Sequence, residues 1–271
     1  MCSLGKNVFA IVVFFTGGAF AAAPDFRGRL YSEVASAYLS SSGSLSDTHP
    51  VTVQQADWLF DFHDFGKVSG YFWTISSLHD KQGKSHRMAF NQFETALYYG
   101  YDWTIRPGVA LKTKTGPLWN PQIGYDHGHN CDWGWHYVQR LETKWVVPYV
   151  NALWMFSPYS RARIRMGLER SFVLGEAWTL TPSVEIVWMD RERYRSRYGG
   201  APDTSVFGGA FACVVTGLKV TWRFNENWRF FARIRQYDVI NNQSRRAIKR
   251  QDNYWSKCDY PIVGIGVECN F

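Results

Sequence analysis

The stretch Gly124, Tyr125, Asp126, His127, Gly128, His129, Asn130, Cys131 gathers the groups in this chain most able to do chemistry. Two imidazoles, a thiol and a carboxylate at such close spacing have the pattern of metal ligands, and that donor set suits zinc or copper. The plainer reading is a solvated polar loop. That reading is adopted here, with no catalytic group, metal or cofactor assigned. A second concentration is cationic. Arg161, Arg163 and Arg165 alternate with Ala162, Ile164, Met166 and Leu168, which puts three guanidinium groups on one face of an extended strand. Guanidinium forks donate in pairs to carboxylates and phosphates, so the chemistry they offer is anion recognition.

The same alternation organises Ala212 to Tyr237. Ala212, Val214, Thr216, Leu218, Val220 and Trp222 share one face, opposite Lys219, Thr221 and Arg223. After Asn225, Glu226 and Asn227 the pattern resumes, with Trp228, Phe230, Ala232 and Ile234 opposite Arg229, Arg233 and Arg235. A sheet with one oily and one charged face belongs to a soluble sandwich or to a membrane barrel. An arginine facing lipid near the midplane costs roughly 2–4 kcal/mol, so the arginine faces must turn inward or gather at a rim.

Three features favour the barrel. The chain starts with Lys6, an apolar run from Val8 to Phe15 and small residues through Ala23, the pattern of a secretory signal peptide over 1–23, leaving 24–271 as one domain. No other stretch has the roughly 18–20 unbroken apolar residues of a membrane helix, so a spanning chain must close its strands into a barrel. Aromatic residues make up 17 % of the chain, with 13 Trp, 15 Tyr and 19 Phe, an excess that fits girdles at the two membrane interfaces.

The formal charge is +7, one unit of it on Lys6. In an exported protein that balance points to acidic solutes or lipid phosphates rather than nucleic acid. Export also exposes Cys131, Cys213, Cys258 and Cys269 to oxidising conditions. A clip between Cys131 and Cys258, both near outer loops, is the preferred pairing among those open.

Twelve segments have strand character: Phe26–Ser40, Val51–His63, Lys67–His79, Arg87–Tyr101, Thr104–Lys114, Trp133–Leu141, Trp145–Phe156, Ser160–Val173, Ala177–Met189, Ser205–Arg223, Asn227–Asn241 and Cys258–Phe271. Short turns are expected at Asp64–Gly66, Asp102, Glu142–Lys144, Leu174–Glu176 and Asn225–Asn227, several followed closely by Trp. They alternate with mostly longer connections, as periplasmic turns alternate with outer loops in a barrel. Pro148 makes the seventh strand the least regular.

The segment Pro261 to Phe271 alternates apolar residues and stops on an aromatic, and so resembles the closing strand of bacterial outer-membrane β-barrel proteins. That resemblance implies an all-β, antiparallel up-and-down barrel in the Gram-negative outer membrane. It further implies contact with outer-membrane lipid and lipopolysaccharide, and recognition of the Phe271 strand by the barrel-assembly machinery. The basic loops Arg191–Arg197 and Arg245–Arg250 would meet lipopolysaccharide phosphates or draw anions to the mouth.

The inward basic residues are expected to line a pore: Arg106, Lys112, Arg161, Arg163, Arg165, Lys219, Arg223, Arg229, Arg233 and Arg235, facing a more acidic wall of Glu33, Asp57, Asp61 and Glu94. This pattern is similar to that of the oligogalacturonate- and sialate-specific porins and implies a channel for small anionic solutes. The alternatives are a closed structural or adhesive barrel, or an enzyme. For the enzyme, Gly124, Tyr125, His127 and Asn130 resemble the active-site stretch of outer-membrane phospholipase A. His129 stands where that family has its serine nucleophile, and a histidine without its hydroxyl partner cannot run that acyl transfer.

Overall fold

The computed structural model describes residues 23–39, 45–47, 50–78, 92–121, 131–156, 160–190, 210–242, 245 and 258–271. Within them the alternating segments form twelve barrel strands: β1 Asp25–Ala35, β2 Val51–Asp61, β3 Lys67–Ser77, β4 Gln92–Arg106, β5 Val109–Pro121, β6 Cys131–Thr143, β7 Val147–Met155, β8 Arg161–Glu169, β9 Trp178–Met189, β10 Ala210–Arg223, β11 Trp228–Val239 and β12 Asp259–Asn270. Each is antiparallel to its neighbours in the chain, and β1 pairs with β12 from Arg29 opposite Asn270 to Ala35 opposite Gly264. The sheet therefore closes. Beyond the last paired residues, Gly28 and Phe271 exchange two backbone hydrogen bonds of 2.7 and 3.0 Å.

Closure leaves the alternation to decide which side chains face out. Leu30, Val34, Phe72, Trp135, Trp154, Leu168, Val184, Leu218, Ile234 and Val263 all stand exposed on the outer surface. On β12, Ile265 is 62 % exposed while Glu268, on the other face, is 6 % exposed. An apolar belt running round the molecule is untenable in water and is what a bilayer requires. Aromatic rings collect at the short-turn rim, where Trp222 lies 6.1 Å from Trp178 and 5.7 Å from Phe230 between ring centroids. No described helix is long and apolar enough to cross a membrane.

The structure moves one turn. Asp102 was the expected reversal because a polar residue precedes Trp103 there, yet β4 runs on to Arg106 and the chain reverses at Pro107–Gly108. Gly108 has φ +74°, a conformation glycine adopts freely, and the preceding proline presets the turn. Consequently β5 extends from Val109 to Pro121, and much of the expected loop Thr115–Asp132 is strand.

Pro148 is accommodated as the second residue of β7, where a missing donor matters least. The short strand Phe172–Leu174 continues β8 in the same register along β9, with Leu168 opposite Val184 and Phe172 opposite Leu180. The interruption falls at Arg170, whose N–H donates to the carbonyl of Pro182; that proline has no N–H to return the bond.

The expected clip between Cys131 and Cys258 does not form. Cys258 carries a buried thiol that is not disulfide-bonded, and its Sγ lies 3.7 Å from the Arg245 carbonyl oxygen. Its carbonyl accepts the Val239 N–H, which ties it to the inner apolar cluster instead of a loop. Cys213 and Cys269 are likewise not disulfide-bonded. Residues 1–22, the His127 and His129 stretch, and the basic loops apart from Arg245 lie outside the described residues.

Two substitutions check this geometry. Ile265→Arg should lower the unfolding free energy in lipid bilayers by about 2–4 kcal/mol, because it turns a cation toward hydrocarbon. Gly108→Ala should cost about 1–2 kcal/mol through the backbone alone, since a Cβ there would meet nothing within 4 Å. Denaturant titration of the folded barrel reads both; a neutral result for Ile265→Arg would contradict the lipid-facing assignment.

Candidate functional site in the barrel lumen

The inward faces divide the lumen into three levels. Nearest the short turns lies a cavity of about 720 Å³, bordered by residues including Arg27, Lys67, Lys112, Lys114 and Arg140. Above it is a chamber of about 430 Å³ lined by Arg163, Arg165, Lys219, Arg233, Arg235, Glu94, Glu268, His136 and Asn151, among others. Arg29 and Tyr71 border both spaces and so form the neck between them. Toward the long connections the inward face becomes apolar: Val51, Ile75, Val187, Met189, Cys213, Val239 and Ile262 are packed together with almost no exposure.

The chamber contains buried ion pairs. Arg165 donates to Glu185 at 2.6 Å, Lys219 to Glu268 at 2.6 Å, and the Arg233 guanidinium makes a two-pronged contact with Glu33, its Nε 2.6 Å from Oε1. Tyr31 donates its hydroxyl to the same Glu33 carboxylate, and Tyr149 donates to Glu185 at 2.9 Å. Burying charge is tolerable when each ion is paired and hydrogen-bonded, and these are.

Three of these contacts jump over an intervening strand, Lys219 to Glu268 across β11 among them, and at the other two glycine makes the jump possible. Glu33 on β1 reaches Arg233 on β11 across β12. A Cβ at Gly264 would sit 2.0 Å from the Glu33 carboxylate oxygen Oε1. Tyr149 on β7 reaches Glu185 on β9 across β8, where a Cβ at Gly167 would stand 2.3 Å from the Tyr149 ring. The bare backbone at each crossing is a saddle for the side chain above it.

Arg163 and Arg235 are different. Arg163 is 2 % exposed, and its one described hydrogen bond runs from Nη2 to Asn151 Oδ1 at 3.3 Å, leaving Nε and Nη1 unbonded. Arg235 Nε is likewise buried and unbonded. Neither forms an ion pair with a described residue. Asn151 is itself held by His136, whose Nε2 lies 2.7 Å from the same Oδ1, while Tyr98 engages His136 Nδ1.

The other expected residues lie elsewhere. Arg161 shares the inward parity of Arg163, opposite Met155 toward the long connections. Lys112 faces the lower cavity, 3.7 Å from Glu142. Arg223 and Arg229 sit opposite one another at the short-turn rim, both exposed, with Arg223 donating to the Glu176 carbonyl at 2.6 Å. Arg106 is exposed beside the Pro107–Gly108 turn. Acid and base do not occupy separate walls: Asp57 pairs with Arg29 at 2.7 Å, and Asp61 and Asp102 flank Lys67 at 3.3 and 2.6 Å. Arg27, Arg29, Lys67, Arg140, His136 and the luminal tyrosines were not singled out from the sequence, although Arg27, Arg29, Tyr31 and Glu33 alternate as strictly as the arginines of β8. Among the described residues, His, Cys, Asp and Glu nowhere cluster in a way that could hold a metal ion.

No protein-family profile and no curated protein matches the chain. Solved structures do. An outer membrane channel from Pseudomonas putida F1 superposes with a TM-score of 0.54 at 10 % identity, covering 94 % of this chain and 98 % of that one. The outer membrane phospholipase A of Escherichia coli gives 0.48 at 10 % identity over 91 % and 93 % of the two chains, and the KdgM porin 0.46 at 9 % over 90 % and 99 %. The fold is that of the outer-membrane β-barrel proteins. The chain forms a closed, twelve-stranded, antiparallel up-and-down barrel.

The Glu33–Arg233 pair gives the test of the luminal network. Glu33→Gln should destabilise the barrel by about 3–5 kcal/mol because the half-buried Arg233 loses its counter-ion, and Glu33→Gln with Arg233→Met should recover more than half of that loss. Urea unfolding of the three proteins decides it; a loss under about 1 kcal/mol in the single variant would show that the pair is not structural.

Proposed function

We propose that this protein is an outer-membrane channel for small anionic solutes, exported with removal of residues 1–23 and assembled through the strand that ends in Phe271. The observation that carries the reading is the pair of luminal guanidinium groups, Arg163 and Arg235, which border the 430 Å³ chamber with buried, unbonded N–H donors. Every other cation lining that chamber has a carboxylate within reach. A buried donor without a partner is costly, and a carboxylate or phosphate entering the chamber would supply what is missing.

The apolar level beyond the chamber makes the passage selective in a second way. Its side chains are packed with almost no exposure, so conduction requires that packing to part, and a hydrophobic constriction of this kind passes small solutes only. The fold of the Pseudomonas putida channel is compatible with this reading; the luminal charge is what motivates it.

Planar-bilayer recording of the purified protein in a salt gradient tests it. The wild type should show a reversal potential of anion-selective sign, and Arg163→Gln with Arg235→Gln should reduce that selectivity at least several-fold. Absence of current, or a cation preference that the double substitution leaves unchanged, would end the proposal.

A further inference from the structure

The cavity at the short-turn end is larger than the chamber above it and is built largely from other strands. Six cationic side chains border it: Arg27, Arg29, Lys67, Lys112, Lys114 and Arg140, drawn from β1, β3, β5 and β6. Four are compensated. Arg29 holds Asp57 at 2.7 Å, Lys67 lies between Asp61 and Asp102, Arg140 holds Glu169, and Arg140 and Lys112 share Glu142 at 3.4 and 3.7 Å. Arg27 and Lys114 form no ion pair with a described residue. Lys114 Nζ instead lies 4.5 Å from the centroid of the Tyr98 ring, a contact that steadies a cation without neutralising it.

The upper boundary of this cavity is aromatic. The Tyr71 and Tyr98 hydroxyl groups are committed to Glu94 and His136 on the chamber side, so their rings, not their hydroxyls, are offered to the space below. At about 720 Å³ the cavity is of the size that holds a small organic molecule, and the neck at Arg29 and Tyr71 separates it from the chamber.

We infer that this cavity is a binding site, entered from the short-turn side, for a multivalent oxyanion, a ligand with two or more neighbouring phosphate or carboxylate groups. The two uncompensated cations come from strands four places apart in the sheet, so a single small anion cannot serve both as well as a ligand with separated charges can. The paired cations add donors that a bridging oxyanion would share with their carboxylates. This site is separate from the Arg163 and Arg235 chamber, and it binds whether or not the lumen carries current.

Calorimetric titration of the full protein in zwitterionic micelles tests this without any conductance measurement. Pyrophosphate and citrate are titrated in separate arms, with inorganic phosphate as the single-anion comparison. At least one of the two should bind at least tenfold more tightly than phosphate, and the tighter arm identifies the head-group chemistry. Lys114→Met should weaken that binding at least tenfold and Arg27→Gln at least threefold. Arg27 is exposed and unpaired, so its substitution leaves the fold intact and keeps the test decisive should Lys114→Met fail to fold. Lys144→Gln, which removes a charge from a turn at the same rim but outside the cavity, should leave the affinity unchanged.

Three results would overturn the inference. The first is no binding in either arm, and the second is equal weakening by Lys144→Gln and Lys114→Met, which would mean that net charge alone attracts the ligand. The third is loss of binding in Arg235→Gln but not in Lys114→Met, which would place the ligand in the upper chamber.

Discussion

Hydrocarbon offers no hydrogen bonds, so a chain that crosses it in strands must find every backbone partner within its own sheet. That requirement forces β12 back onto β1, and the rest of the architecture follows from the closed ring. Once the ring is shut each side chain has two destinations. Oily residues such as Ile234 and Ile265 stand against lipid, and charged residues of opposite parity share an interior only a few side chains wide. Crowding then does what sequence neighbourhood cannot, and brings ions from distant segments into contact.

The interior answers that crowding by pairing most of its charges. Glu33, Glu185 and Glu268 each take a basic partner, and two tyrosines add donors to the first two carboxylates. Glycines on the strand between partners let side chains lie flat across the wall. What the pairing leaves over is uneven: guanidinium donors of Arg163 and Arg235 in the middle, with Arg27 and Lys114 below. The electrostatic character of the lumen is set by these remainders, not by its gross composition.

Much of the fold was legible because strand period is a local property. Alternation over Arg161–Leu168 and over the β10–β11 hairpin assigns the two faces without knowledge of any partner, and short turns alternating with long connections fix the parity of all twelve strands. Asp102 misled because a polar residue before a tryptophan imitates the other turns of that rim, while the stronger signal, Pro107 followed by Gly108, lay a few residues on. The luminal contacts were not legible. Glu33 and Arg233 are 200 residues apart and meet only because the ring closes and Gly264 has no side chain. The lower cavity was missed for the same reason: Arg27, Lys67, Lys114 and Arg140 lie on strands that read as separate pieces, and only curvature turns them toward one space.

The contact between Glu33 and Arg233 also bears on how the wall can fail. The β1–β12 junction is the one place where adjacent barrel strands are not joined by a connecting segment of chain, and so the natural place for the cylinder to split sideways. The carboxylate bridging β1 and β11 acts as a rivet over that line: prying the strands apart would drag a carboxylate and a guanidinium into oil before any gap opened. Anything held in the lumen is thereby confined to the barrel's long axis, and lateral escape through the wall is barred at the junction otherwise weakest against it.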